Sequence, residues 1–271
     1  QALLRRAEQL HCDYIATGHY AKVRYEDGRY IISRGKDTHK DQSYVLWGLS
    51  QENLAKTIFP LGDYHKSEIF ELAKEWGYHE LAGKSESYEI CFIPDNDYRG
   101  FLKRKVDGLE ERVEGGDFIL SDGTVVGKHR GYPFYTVGQR KGLGLALGYP
   151  VYVTEIRPDT NTIVVGPSEE LKSRGMRVRN VNFVKYPSLN ETIEGVSAIR
   201  ANHEGAMSQV RQVNDHEVEV IFHHGVDAIA PGQSAVFYEG NDVVGGGHIY
   251  ESFDVDYAEF SKNNEQLAMS K

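Results

Sequence analysis

Two cysteines in 271 residues, Cys12 and Cys91, are too few and too far apart for a disulfide framework or a zinc site. No apolar run approaches the roughly 18 residues that cross a bilayer, which argues against a membrane protein. A secretory leader is lacking too, so the expected compartment is the cytoplasm. Eleven histidines occur, including His223-His224, but none has a thiol or carboxylate partner at ligand spacing, so no stably bound metal is expected. Repeats and low-complexity tracts are absent. So is an initiating Met: Gln1 to Leu10 reads as an amphipathic helix entered midway, as in the interior of a longer protein.

Acidic side chains are missing from two stretches, although the net charge is −9. Residues 124–154 carry Lys128, His129, Arg130, Arg140 and Lys141 without a carboxylate, and residues 172–186 carry Lys172, Arg174, Arg177, Arg179 and Lys185. Phosphate contacts depend on the local field, screened over about 10 Å at 0.1 M salt, so the overall charge does not exclude a nucleic-acid partner. Two solvated faces would look the same. Near the end, Glu251 to Glu259 forms an acidic stretch.

With 40% hydrophobic and 26% charged residues, the chain has the balance of a globular protein, and its length suits two or three modest domains. Three blocks are visible. In 1–92, Leu3, Leu4, Ala7 and Leu10 line a helix face, and Tyr14 to Thr17 reads as a short buried strand ending at Gly18-His19. Val23 to Ser33 reads as a hairpin around Asp27-Gly28. A helix over Ser67–Trp76 points Ile69, Phe70, Leu72, Ala73 and Trp76 inward and stops at Gly77. This mixture predicts an α/β layer. Block 93–178 is rich in glycine and turns. Block 179–253 is a succession of short β runs, as in a small barrel or sandwich, and 254–271 reads as a frayed tail.

Candidate chemistry is scattered along these blocks. Gly18 and His19 stand at a strand end, where ligands bind in open α/β sheets, although a plain turn is the simpler account of these two residues on their own. Lys40-Asp41-Gln42 combines a cation, a carboxylate and an amide at a helix start, suited to phosphate and base-edge contacts; Asp41 as a cap is the simpler account. Cys91 lies between turn-forming segments, where a thiol can act as a nucleophile if its pKa is lowered, yet a lone cysteine is also an ordinary small hydrophobe. Gly245-Gly246-Gly247 is followed by a strand rather than a helix, so it reads as a sharp turn and not a phosphate loop.

Taken in order, Ala16-Thr17-Gly18-His19-Tyr20, Lys40-Asp41-Gln42-Ser43-Tyr44 and Ile90-Cys91-Phe92-Ile93-Pro94 resemble the tRNA-specific 2-thiouridylases of the MnmA type. Gly127-Lys128-His129-Arg130-Gly131 and the run from Phe134 to Gly144 are similar to that family's central domain. Ala230 to Tyr238 followed by Gly245-Gly246-Gly247 is similar to its C-terminal barrel. The resemblance covers residues 1 to about 253. It implies an incomplete Rossmann-like PP-loop layer over 1–92, a small β-rich central domain over 93–178, and a C-terminal β-barrel over 179–253.

It also implies an enzyme that adenylates the wobble uridine of tRNA with ATP, with Mg²⁺ expected, and then replaces O2 by sulfur from a cysteine persulfide. By motif match Cys91 is the persulfide carrier, Gly18 contacts ATP, and His19, Lys40, Asp41, Gln42, Arg200, Ala201 and Gln233 contact tRNA. A persulfide sulfur-donor protein is the implied partner, and a disulfide with a second cysteine is the implied by-product. Two departures matter. The Ser-Gly-Gly-Val-Asp-Ser type loop and the family's first catalytic cysteine are not in this sequence, and Cys12 matches neither position. Ala201-Asn202 stands where the family usually has Tyr-Arg. The polypeptide alone is therefore expected to be inactive, and a non-catalytic tRNA-binding fragment is the alternative. A thiol-bearing enzyme of small-molecule metabolism is a further alternative, disfavoured by the basic stretches.

Overall fold

A computed structural model describes residues 2–82, 93, 95, 97–201 and 204–255, which fall into two compact units. In chain order the first unit opens with α1 (Ala2–Gln9), β1 (Ile15–Ala16), β2 (Ala21–Glu26), β3 (Arg29–Arg34), α2 (Gln51–Ala55), β4 (Thr57–Ile58), α3 (Lys66–Glu75) and α4 (His79–Ala82). The second unit holds α5 (Tyr98–Lys105), α6 (Leu109–Val113), β5 (Asp117–Ile119), β6 (Val125–Lys128), β7 (Tyr152–Arg157) and β8 (Thr162–Gly166). The chain then returns to the first unit with β9 (Lys172–Phe183), β10 (Ile193–Ala198), β11 (Ala206–Asn214), β12 (Glu217–Asp227), β13 (Ser234–Glu239) and β14 (Asp242–Phe253).

Strands β13-β10-β11-β12-β9-β14 form one sheet, and β14 pairs back onto β13, closing a six-stranded barrel. Closure removes the free edges of these strands. The early hairpin joins the same sheet. Asp27 and Gly28, both at positive φ, turn β2 into β3, and β3 meets β14 at Ser33 opposite Asp242. Ala21, Ile32, Leu54 and Phe59 from the first block therefore share one core with Val184, Ala198, Val236 and Val243 of the barrel. The Arg29 guanidinium donates to the carbonyls of Phe183 and Val184, and Asn182 Nδ2 donates to those of Trp47 and Leu49.

Three expectations need correction. Gly245-Gly246-Gly247 is not a turn: it runs through the middle of β14, buried, and pairs on one side with β13 and on the other with β9. A Cβ on Gly246 would stand 2.7 Å from both Ala235 O and Trp47 Cγ, so glycine is present because backbone and an indole ring come that close. The strand after α1 is only Ile15–Ala16, parallel to β4, and neither it nor Tyr14 is buried. Helix α3 buries none of its residues: Trp76 is 72% exposed, and Ile69, Leu72 and Ala73 border an open groove with Pro60 and Leu61.

In the second unit the sheet order is β6-β5-β8-β7, with Phe118, Tyr135, Leu143, Val153 and Ile163 in its core. His129 is buried beside Phe118 and Tyr135. Gly131 N–H donates to His129 Nδ1 at 3.0 Å, which leaves the ring proton on Nε2 to donate to Asn161 O at 3.1 Å. Burial lowers the pKa, and nearby Lys128 adds to this, against the opposing Asn161 carbonyl and Asp117. A second ring proton would face the Gly131 N–H. The neutral ring's stabilisation is complete above the free-histidine pKa of ~6.5 and is lost as pH falls below it. Unfolding of this unit should therefore occur more readily at pH 5.5 than at pH 7.5. That difference should shrink in His129→Gln, and an unchanged pH slope would refute the assignment.

Candidate nucleic-acid interface

Three loops of the first unit meet at the ends of β1, β3 and β4. Thr17 N–H donates to Ile58 O, which carries the β1–β4 pairing to the residue before Gly18. Gly18 is exposed, its φ is not left-handed, and an added Cβ would meet only Leu61 Cδ1 at 3.7 Å. The fold does not demand glycine here, and the bare backbone leaves the strand end open to a ligand. His19 Nδ1 lies 2.9 Å from Thr17 Oγ1, and its ring stands edge-on to Phe59. A cavity of about 150 Å³ opens beside it, lined by Leu4, Ile15, Leu46 and Phe59 among others.

The loop after β3 is tied to this strand end by hydrogen bonds. Gln42 Oε1 accepts from Tyr20 N–H, and Gln42 N–H donates to Tyr20 O. Asp41 Oδ1 accepts from the N–H groups of Gly35 and Ser43, and its Oδ2 accepts from Ser43 Oγ at 2.7 Å. The carboxylate thus braces the loop at the start of the single 3₁₀ turn Ser43–Leu46, whose N-cap position is taken by Gln42 without a side-chain capping bond. Gln42 is exposed and Lys40 half-buried.

The same loop is latched to the barrel. Tyr44 OH donates to Ser234 O at 2.7 Å, and Ser43 Oγ lies 3.2 Å from Tyr238 OH, over whose ring the Arg34 guanidinium is stacked. Burial pushes both phenols up to about 12, so they remain protonated donors at neutral pH. Ser234 follows Gln233 directly. Strand β10 runs antiparallel to β13 with Ala198 opposite Val236; continuing that register puts Arg200 and Ala201, both exposed, at the barrel end that carries Gln233. Gly18, His19, Lys40, Asp41, Gln42, Arg200, Ala201 and Gln233 therefore lie in one unit, in two groups joined through Ser43 and Tyr44. The joining residues Tyr44, Ser234 and Tyr238 were not singled out individually, although Tyr44 closes the Lys40–Tyr44 motif.

Neither acid-free stretch is acid-free in space. Lys185 lies between Glu239 and Asp242, and Arg177 pairs with Glu251 and Glu219. Lys128 pairs with Asp117 at 2.7 Å. Strand pairing supplies carboxylates that the local sequence does not contain.

Family models match the chain in three segments: a tRNA methyl transferase HUP domain over residues 1–95, a tRNA methyl transferase PRC-barrel domain over 100–167, and an aminomethyltransferase β-barrel domain over 173–249. The tRNA-specific 2-thiouridylase MnmA of Amoebophilus asiaticus is 62% identical over 253 residues, covering 93% of this chain and 67% of that protein. The chain belongs to the tRNA-specific 2-thiouridylase family. The MnmA proteins of Cytophaga hutchinsonii, 58% identical over 256 residues, and Salinibacter ruber, 59% identical over 252, agree; the chain covers 94% of itself and 69% of the first, and 92% of itself and 66% of the second. This thiouridylase chain thus spans about two thirds of the length of these relatives. Its fold class is the expected one, an α/β part, a β-rich middle and a closed barrel. Of its two cysteines, Cys91 lies outside the described residues, as does Asn202. Cys12 is exposed after α1, its Sγ 3.8 Å from Leu10 O. Among the described residues no helix is long and apolar enough to cross a membrane.

Proposed function

We propose that this thiouridylase chain serves the exchange of O2 for sulfur on the wobble uridine (position 34) of tRNA, carrying the tRNA-holding surface and part of the reaction centre. The observation that carries the reading is the hydrogen-bonded junction from Gln42–Tyr20 through Tyr44–Ser234. It joins the strand-end loops to the barrel end bearing Arg200 and Gln233. Lys40 and Arg200 supply cations for phosphates, and Gln42, Gln233 and His19 supply hydrogen bonds. Asp41 acts through the loop it braces, and Ala201 through its backbone. Gly18 leaves room for ATP, which supplies the adenylyl group that makes the uridine oxygen a good leaving group. Cys91 carries the transferable sulfur, delivered by a persulfide donor protein in the cytoplasm.

The 271-residue polypeptide by itself is expected to bind tRNA without thiolating it, because its sequence holds neither the Ser-Gly-Gly-Val-Asp-Ser type loop nor a second catalytic cysteine. With ATP, a persulfide donor and tRNA, nucleoside mass spectrometry should find no 2-thiouridine; its formation would overturn this half of the reading. Lys40→Ala and Arg200→Ala should each weaken tRNA binding and lower the salt slope by about 1, whereas Cys91→Ser should leave binding unchanged. A chain with no affinity for tRNA would overturn the whole proposal.

A further inference from the structure

The second unit carries a basic loop to which nothing above gives a role. Residues 136–144 leave the core at buried Tyr135 and return to it at buried Leu143, with Arg140 and Lys141 exposed between these anchors. The Gln139 side chain spans the loop: Oε1 accepts from Thr136 N–H and Nε2 donates to Lys141 O. Gly138 N–H donates to Val153 O, and Val153 N–H to Gln139 O, fixing the base to β7. Gly138, Gly142 and Gly144 take φ of 87°, 75° and 73°, conformations that side-chain-bearing residues rarely adopt. A Cβ on Gly138 would also come within 2.9 Å of Ala228 Cβ. The loop has one built shape, and that shape turns two adjacent cations outward.

Four other cations of this unit are paired, whereas the exposed Arg130 and Lys172, like Arg140 and Lys141, make no ion pair among the described residues. Arg104 pairs with Asp95, Lys103 with Glu110, Lys128 with Asp117 and Arg157 with Glu155. Arg140 and Lys141 make no ion pair among the described residues, although 40 carboxylates against 31 lysines and arginines leave the chain acidic overall. Arg99, stacked 5.9 Å from the Tyr135 ring at the base of the loop, adds a third positive charge. Adjacent exposed cations raise the local positive potential, which attracts an anionic ligand.

We propose that Arg140 and Lys141 form an RNA-backbone contact on the second unit, a phosphate-binding finger separate from the strand-end and barrel residues of the first. The proposal rests on the tRNA reading above. RNA is the occupant favoured by the pairing of a forked guanidinium with an ammonium on a preshaped loop, which matches successive phosphates along a strand.

The test is tRNA affinity of the full chain across 50–200 mM salt, for the wild type and for Arg140→Ala/Lys141→Ala. Losing two phosphate contacts lowers the salt slope by about 1.4–1.8, so the fourfold rise in salt should cost the double variant about tenfold less affinity than it costs the wild type. Arg140→Lys/Lys141→Arg should keep the wild-type slope, and an unchanged unfolding midpoint in both variants would show that the loop's fold is not at issue. A wild-type slope in the alanine variant overturns the finger alone. No tRNA binding by the wild type overturns the tRNA reading and the finger together.

Discussion

Asp242→Ala should destabilise the first unit by about 2–4 kcal/mol in urea unfolding, because it removes the centre of a half-buried charge network. Asp242 accepts both arms of the Arg24 fork, at 2.8 and 2.9 Å, and a hydrogen bond from Ser33 Oγ at 2.7 Å. Lys185 lies 3.0 Å from its other side and also reaches Glu239, which accepts from Tyr186 OH. The Arg24 fork, with Ser33 and Lys185, holds the Asp242 carboxyl well below the usual range against the opposing effect of burial. Burial also works against the Lys185 charge, but Glu239 and Asp242 outweigh it. A depressed carboxylate contributes stability that is complete above its unfolded pKa, near 4, and is lost as pH falls toward the folded value. The wild type should therefore lose stability below about pH 4, and Asp242→Ala should lose less over the same interval. Equal urea midpoints for the two proteins at pH 7 would refute the role given to this network.

Gly246→Ala should cost roughly 3 kcal/mol, since its methyl group has nowhere to go. The added carbon would stand 2.7 Å from the Ala235 carbonyl, whose strand closes the barrel, and 2.7 and 2.9 Å from atoms of the Trp47 ring. Either the β13–β14 seam opens or the indole leaves its place against His248, 5.3 Å away between ring centroids. Trp47 lies just beyond the 3₁₀ turn that follows the Lys40–Gln42 loop, so the displacement should also weaken tRNA binding. Tryptophan fluorescence during urea unfolding and tRNA affinity would read the two effects. Gly48→Ala is the control: nothing stands within 4 Å of its Cβ and its φ is ordinary, so stability should stay within about 0.5 kcal/mol of the wild type. A Gly246→Ala protein as stable as that control would show that the seam is looser than its geometry indicates.

Both substitutions act on the junction between the first block and the barrel, and this junction was the least visible feature in the sequence. Local signals read well. The Asp27-Gly28 turn, the extent of α3 and the β-rich end of the chain follow from turn chemistry and apolar periodicity, which depend on near neighbours. Periodicity failed where burial depends on what lies opposite. Trp76 repeats in phase with Ile69 and Leu72, yet α3 buries none of its residues and that face borders an open groove. Gly245-Gly246-Gly247 carried the mark of a turn because glycine permits one, but here its use is close backbone approach between three strands.

From the sequence alone came the family, through long motifs spread in order along the chain, together with the candidate residues from Gly18 to Gln233 and the closed-barrel class. Side-chain chemistry written into contiguous residues needs no partner to be read. Tertiary structure alone decided which of those residues share a unit and which charges remain available. The Lys172–Tyr186 stretch looks like a basic surface in sequence, but strands separated by 50 to 75 residues bring Glu239, Asp242 and Glu251 against Lys185 and Arg177. Arg140 and Lys141 keep their charge unpaired among the described residues because a glycine-shaped loop turns them outward. Coulomb energy depends on distance in space, and distance in space is what the chain order does not state.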